Sequence, residues 1–222
     1  YPFDYLDDFG VIGFTDWIET ISEPGWHLVQ MVIDPDNAIE EANEDNNVWT
    51  QYFYWESSLP YYDDMESGAI GWDASGLWHL VDDSSQYQNS YSGTTSWWYG
   101  QENTGDYDTG TQNSGDLTSP NLYIPYDESG PFYIHFQYWY STESQLPYWD
   151  QRWLQASIDN GEFVNILRLN DDLMEFWHNS PLINLSGLEG HTIRIRFHFD
   201  TIDEIENAYR GWYIDDFSIA QY

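Results

Sequence analysis

Alternation of apolar and polar residues with a period of two recurs along this chain, whereas a helical period is nearly absent. In residues 193–199, for example, isoleucine and phenylalanine alternate with Arg194, Arg196 and His198. Successive side chains of a β-strand point to opposite faces of a sheet, so the pattern predicts a strand with one apolar face. Similar patterns predict strands at residues 27–33, 48–55, 132–140, 153–158, 163–169 and 212–219.

Polar turns rich in Gly, Asn, Asp and Ser separate these segments, and many short strands joined by such turns are typical of sandwiches and jelly rolls. Near residues 56–62 a Ser-Ser-Leu-Pro tetrapeptide interrupts two aromatic strands and a new acidic cluster begins. We therefore predict an all-β chain with two modules. The first module covers residues 1–58 and the larger second module covers residues 59–222, and each is expected to be a sandwich or a jelly roll.

The charge of the chain limits its partners. Thirty-nine acidic residues face five arginines and no lysine, which gives a net charge of −34 among 222 residues. Such a field repels polyanions and anionic membranes, so nucleic acid is excluded as a partner. We expect cations, neutral glycans or protein surfaces instead. The chain is 41% apolar and 19% aromatic, which is too much for a disordered protein.

The chain has no cysteine and no lysine, so neither disulfides nor lysine-derived isopeptide bonds can cross-link it. Packing and bound cations must supply its stability. No apolar run approaches the roughly 18 residues of a membrane span, and no insertion into a membrane is expected. The Asn184-Leu185-Ser186 triplet and the polar, aromatic composition favour an extracellular or cell-surface location. The cytoplasm of an extreme halophile is the alternative explanation of the acidity.

Residues 25–47 run from an apolar strand into an acidic loop that ends in Asn-Glu-Asp-Asn-Asn. This stretch resembles the end of the bacterial cell-adhesion-related (CARDB-type) domains. The resemblance implies a small immunoglobulin-like sandwich of roughly a hundred residues, more than the first module contains. The missing strands would then lie upstream or come from another chain.

The second module resembles the jelly-roll domains of the MAM type and of immune-inhibitor-A-like secreted metalloproteases. The matching motifs are Asp-Met-Glu-Ser-Gly at 64–68, Gly-Trp at 71–72, Leu-Thr-Ser-Pro at 117–120 and Gly-Trp-Tyr-Ile-Asp-Asp-Phe at 211–217. The resemblance implies a non-catalytic domain appended to enzymes or adhesins. The chain has no His-Glu-x-x-His motif, no Gly-x-Ser-x-Gly motif and no phosphate-binding loop, and we expect no enzymatic activity.

Calcium is the expected cofactor, because Ca²⁺ takes carboxylate, amide and carbonyl oxygens from loops. The second resemblance implies a structural site that joins Asp64 and Glu66 of the first strand to Asp216 of the last. Further candidates for this site are Asp63, Asp150 and Asp215. The alternative is that these acidic pairs are simply solvated.

The loop at residues 34–47 is a second calcium candidate, although its spacing is not that of an EF-hand. Its candidate ligands are Asp34, Asp36, Asn37, Glu44 and Asn47. A third candidate is the loop at residues 103–115, which holds Asp106 and Asp108. In each loop the alternative is that Asp and Asn side chains cap turns.

Two segments hold aromatic side chains that are candidates for stacking on sugars. The candidates are Trp97, Trp98 and Tyr99 in one segment and Trp149 and Trp153 in another. The alternative is that these rings fill the sandwich core or form a protein interface. Arg194 and Arg196 hold two of the five positive charges, and we expect them to pair with carboxylates of a neighbouring strand. Their alternative role is to dock the acidic edge of a neighbouring subunit.

These observations predict an extracellular structural or adhesive protein, stabilised by calcium. Self-association into a fibre by β-strand complementation is expected, because an incomplete sandwich leaves backbone groups unpaired. A cell-surface glycan or protein is the other kind of partner. The alternative function is a glycan-binding accessory domain of a secreted hydrolase.

Overall fold

The computed structural model describes residues 25–32, 39, 47–55, 59–126, 129–143, 149–169 and 174–222. These residues include no helix that is long and apolar enough to cross a membrane. Fifteen strands occur among them. They are β1 (Gly25–Val32), β2 (Val48–Trp55), β3 (Tyr61–Asp63), β4 (Asp73–Ala74), β5 (Trp78–Val81), β6 (Ser96–Tyr99), β7 (Ser114–Thr118), β8 (Leu122–Tyr123), β9 (Tyr133–Ser141), β10 (Gln151–Ile158), β11 (Val164–Arg168), β12 (Trp177–Asn179), β13 (Ile183–Asn184), β14 (Thr192–Asp200) and β15 (Gly211–Ala220).

Strands β1 and β2 form an antiparallel hairpin, with Gly25 opposite Trp55 at one end and Val32 opposite Val48 at the other. Both strands were predicted from their alternation. The remaining residues of the predicted first module lie largely outside the described ranges, so the division of the chain at residue 58 stays a prediction.

The other thirteen described strands form two antiparallel sheets. In the seven-stranded sheet the order is β12-β9-β15-β6-β5, with β13 also on β9 and β3 also on β15. In the six-stranded sheet the order is β11-β10-β14-β7-β4, with β8 also on β14. These sheets form a β-sandwich, which confirms the predicted all-β fold.

The core between the sheets is mainly aromatic. Along β14, Ile193, Ile195, Phe197 and Phe199 are fully buried and alternate with the polar side chains of the other face. The Phe197 ring packs edge-to-face on Phe136 at a centroid distance of 4.8 Å. Rings of this size fill the space between sheets with few residues, which accounts for much of the aromatic content.

The outer face of the seven-stranded sheet is covered at one end by the segment 82–95. Tyr87 of this segment packs on Trp98. Trp98 in turn stacks on Tyr213, with ring centroids 5.6 Å apart and an interplanar angle of 8°. Arg210 donates hydrogen bonds to the Tyr213 hydroxyl and the Tyr87 carbonyl, which ties the segment down. The part of this face formed by β3, β9 and the end of β15 holds the site described below.

Candidate functional site

A β-bulge in β15 lies where the two ends of the predicted second module meet. The register of β15 against β9 shifts between Asp215 and Ser218, and Asp216 has a positive φ of 46°. A bulge changes the direction in which nearby side chains leave the strand. Just past the bulge, Phe217 pairs with Asp63 of β3. The first and last strands of the sandwich are therefore neighbours.

Glu66 binds the last residues of the segment 82–95 by hydrogen bonds. Its carboxylate accepts the N–H groups of Thr94 and Thr95 at 2.9 and 2.7 Å and the Thr94 hydroxyl at 3.1 Å. Burial acts in the opposite direction, but these bonds lower the pKa of Glu66. Gly93 lies so close to this carboxylate that a side chain there would collide with it.

Asp215 and Asp216 bind the same segment. The buried Asp215 carboxylate accepts the N–H groups of Tyr91 and Ser92 at 2.7 and 3.2 Å, and burial raises its pKa to about 7. Asp216 accepts the Ser92 hydroxyl at 2.7 Å. We call Glu66, Asp215, Asp216 and residues 91–95 the carboxylate cradle.

The cradle joins the two chain segments that the calcium prediction places together. Among the described residues, no group of three or more His, Asp or Glu side chains is arranged to hold a metal ion. Asp64 is exposed and accepts the N–H of Glu66 at 3.2 Å. Asp63 accepts hydrogen bonds from Met65 and Trp72. Calcium at this position stays a proposal.

Asp150 does not join the cradle. It lies at the start of β10, in the other sheet, where its carboxylate accepts hydrogen bonds from the Tyr107 hydroxyl and the Glu143 N–H. Burial raises its pKa to about 6. The structure therefore separates Asp150 from the other predicted ligands.

The remaining calcium candidates divide between two loops. Asp34, Asp36, Asn37 and Glu44 lie outside the described residues, and Asn47 is buried. In the other loop, Asp106 accepts the Asp108 N–H at 3.1 Å and Asp108 accepts the Gly110 N–H at 2.8 Å. These two side chains cap turns, which was the alternative to calcium binding in this loop.

The structure corrects one predicted sugar-stacking position. Trp97, Trp98 and Tyr99 are 3%, 0% and 0% exposed, because β6 lies between β15 and β5 and is covered on both faces. These rings have no face open to a sugar. Trp149 is 42% exposed and Trp153 is half-buried, so both remain candidates.

The two arginines of β14 form ion pairs within the chain, and the Arg196 pair confirms the expected pairing with a carboxylate of a neighbouring strand, whereas the partner of Arg194 lies on β4, two strands away. Arg194 binds Asp73 at 2.7 Å, and Arg196 lies 3.4 Å from Asp116. Asp116 lies on β7, the strand next to β14. Docking of a neighbouring subunit at these arginines stays a prediction.

A cavity of about 320 Å³ opens on the outer face of the seven-stranded sheet, beside the cradle. The strand register places Tyr62 of β3, Ser218 of β15 and His135 of β9 side by side on this face. We call the cavity the tyrosine pocket. Its lining residues are Tyr62, Asp63, Asp64, His135, Gln137, Asp216, Phe217, Ser218 and Tyr222.

Two tyrosines in the lining are largely open to solvent. Tyr62 is 68% exposed and Tyr222 is 66% exposed. The Tyr222 ring packs edge-to-face near Tyr133 at 6.4 Å, and its hydroxyl lies 3.0 Å from the Ser218 hydroxyl. The ring of Tyr222 is thus positioned by contacts and still presents most of its surface.

Gln137 contributes the most unusual polar group of the pocket. Its side chain is 5% exposed, and its Nε2 donates to Asn179 at 2.8 Å. Its Oε1 is buried and accepts no hydrogen bond from the part of the chain that the structure describes. A buried acceptor without a hydrogen bond costs free energy. A ligand hydroxyl that donates to this oxygen would therefore stabilise the complex. Burial also lowers the pKa of His135, which favours the neutral imidazole in the same lining.

Sequence reasoning missed this pocket, and one signal for it was available. His135 and Gln137 alternate with the apolar Ile134 and Phe136, which indicates a polar outer face on β9. Nothing in the sequence shows that Tyr62 and Tyr222 meet that face, because their placement depends on the pairing of β3 and β15.

Comparisons with known proteins give weak similarities. No family model and no curated protein matches the chain. The solved carbohydrate-binding module TmCBM61 in complex with β-1,4-galactotriose is 18% identical, with a TM-score of 0.49 over 72% of this chain and 94% of that one. A solved structure of carbohydrate-binding modules from the β-sandwich superfamily is 14% identical to this chain, with a TM-score of 0.47. The match covers 98% of this chain and 83% of that one. The K3 cleaved adhesin domain of Lys-gingipain from Porphyromonas gingivalis is 14% identical, with a TM-score of 0.42 over 72% and 97%.

Proposed function

We propose that this chain is a glycan-binding β-sandwich module and that the tyrosine pocket is its sugar site. The observation that carries the proposal is the unpartnered Oε1 of the buried Gln137, in a pocket that also presents two exposed tyrosine rings. The role is that of a non-catalytic accessory domain in an extracellular protein.

The lining fits the chemistry of a sugar. Sugar rings carry apolar C–H faces that pack on aromatic rings, and Tyr62 and Tyr222 expose such rings. Sugar hydroxyls can donate to Gln137 and to the carboxylates of Asp64 and Asp216. A volume of about 320 Å³ is at the small end for ligand pockets and leaves room for roughly one or two sugar rings.

A titration calorimetry panel of neutral, amino and acidic trisaccharides tests the proposal. We expect saturable binding of at least one sugar, and a loss of at least about tenfold in affinity for Tyr62→Ala or Tyr222→Ala. The matched control is Tyr123→Ala, because Tyr123 is 38% exposed on the six-stranded sheet. Absence of binding across the panel, or equal losses in all three variants, would contradict the proposal.

A second candidate function, self-association by strand addition, is favoured by the β1–β2 hairpin. Within the described residues, β1 and β2 pair only with each other. Both strands also expose apolar side chains, including Leu28, Met31, Val48 and Tyr52. A two-stranded ribbon is marginally stable alone and offers unpaired edges to another chain.

A further inference from the structure

The tyrosine pocket has an acidic lining without a neutralising cation. Asp63, Asp64 and Asp216 all line it, and no arginine does. None of the three takes part in an ion pair between described residues. The charge of −34 on the whole chain strengthens the negative potential in this cavity.

Two of these carboxylates keep an oxygen free for a ligand. Asp63 uses both oxygens, since Oδ1 accepts the Met65 N–H and Oδ2 accepts Trp72 Nε1 at 2.8 Å. Asp64 and Asp216 use only Oδ1, for the Glu66 N–H and the Ser92 hydroxyl. Their Oδ2 atoms accept no hydrogen bond from the described residues.

The surroundings of these free oxygens suit a positively charged group. An ammonium group attracts carboxylates and also the faces of tyrosine rings, which Tyr62 and Tyr222 expose in the same lining. A carboxylate or sulfate on a sugar would meet three like charges. Gln137 Oε1 adds an acceptor for a hydroxyl or ammonium donor.

We infer that the tyrosine pocket selects amino sugars with a free ammonium group over their N-acetylated and acidic counterparts. The inference rests on the proposed function, because it names the class of sugar for the same pocket. Asp64 is the selecting residue, and the two tyrosines hold the sugar ring.

The test compares three trisaccharides by titration calorimetry, made of glucosamine, N-acetylglucosamine and galacturonic acid. The buffer contains a chelator and about 0.1 M salt, which limits long-range attraction. Mildly acidic pH keeps the sugar amines protonated. We expect the glucosamine trisaccharide to bind about tenfold more tightly than the N-acetylated one, as a charge-assisted hydrogen bond would give. The acidic trisaccharide should not bind measurably.

Two variants separate selection in the pocket from general attraction to an acidic protein. Asp64→Asn should reduce the preference for glucosamine about three- to fivefold, within the range of an exposed charge pair. Asp83→Asn removes an exposed charge outside the pocket and should leave the preference unchanged. Tyr222→Ala should weaken binding of the glucosamine trisaccharide.

Each contrary outcome points to a different error. Equal binding of the free and N-acetylated sugars, both weakened by Tyr222→Ala, would overturn the inference and leave the proposed function standing. A glucosamine preference that is undiminished in Asp64→Asn would reflect general charge attraction and would also overturn it. If no sugar binds in a Tyr222-dependent way, the inference and the proposed function fail together.

Discussion

Asp116 shows how a single acidic residue can be stabilised in this strongly acidic chain. His198 Nδ1 lies 2.6 Å from its carboxylate, and Arg196 lies 3.4 Å away. Burial acts to raise the pKa of Asp116, but the His198 hydrogen bond and the Arg196 charge lower it below its ordinary value. A carboxyl whose pKa is lower in the folded chain stabilises the fold above its unfolded-state pKa. That stability is lost as the pH falls through the folded-state pKa.

Asp116→Asn is therefore expected to destabilise the protein in a pH-dependent way. At neutral pH the free energy of unfolding should fall by about 0.5–1 kcal/mol, the range of partly exposed charge pairs. At a pH below the lowered folded-state pKa the carboxyl of the wild-type protein is protonated, and the difference should disappear. Urea denaturation at both pH values measures it. An equal difference at the two pH values would show that charge is not the cause.

The strands differ in how far the sequence could predict them. Strands with one buried and one polar face, such as β14 and β10, show the period of two and were predicted within a few residues. β6 was missed because both of its faces are covered, so its Ser-Trp-Trp-Tyr sequence has no alternation. β3 and β13 are too short to show a period. The tyrosine pocket was missed for the same reason, since it depends on the pairing of β3 with β15.

The β1–β2 hairpin allows a test of strand addition at the level of one element. If the hairpin binds another chain, sedimentation velocity of the wild-type protein should show large particles. Leu28→Asp, at a 52% exposed position of β1, should reduce them. Leu182→Asp, at a 49% exposed position outside the hairpin, is the matched control and should not. Monomeric wild-type protein would contradict this second candidate function.

For the whole molecule, the main problem is the repulsion among 39 acidic groups, with no disulfide to oppose it. The carboxylate cradle connects β15, the last strand of the sandwich, to the residues that follow β3, its first strand. The stability of the cradle therefore affects closure of the sandwich. We propose that Ca²⁺ binds here through Glu66, Asp216 and loop oxygens. A bound ion would reduce the repulsion where the two ends of the sandwich meet.

Calcium is expected to raise the free energy of unfolding by RT ln(1 + [L]/Kd), about 2.7 kcal/mol at one hundred times Kd. Chemical denaturation with calcium and with chelator measures the increment. Glu66→Gln should reduce it, whereas Asp83→Asn should not. Identical curves with calcium and chelator would contradict the calcium proposal. Stabilisation by molar sodium chloride alone would favour the halophile explanation of the acidity.

The most direct test of glycan binding at the tyrosine pocket is an NMR titration of ¹⁵N-labelled protein with the glucosamine trisaccharide and, separately, with cellotriose. The side-chain amide of Gln137 is the reporter, because its Oε1 is the buried acceptor without a partner. We predict that at least one sugar shifts this amide resonance together with the backbone resonances of His135, Ser218 and Tyr222. No shift with either sugar, or shifts confined to the face that carries Trp153, would contradict the assignment of the site.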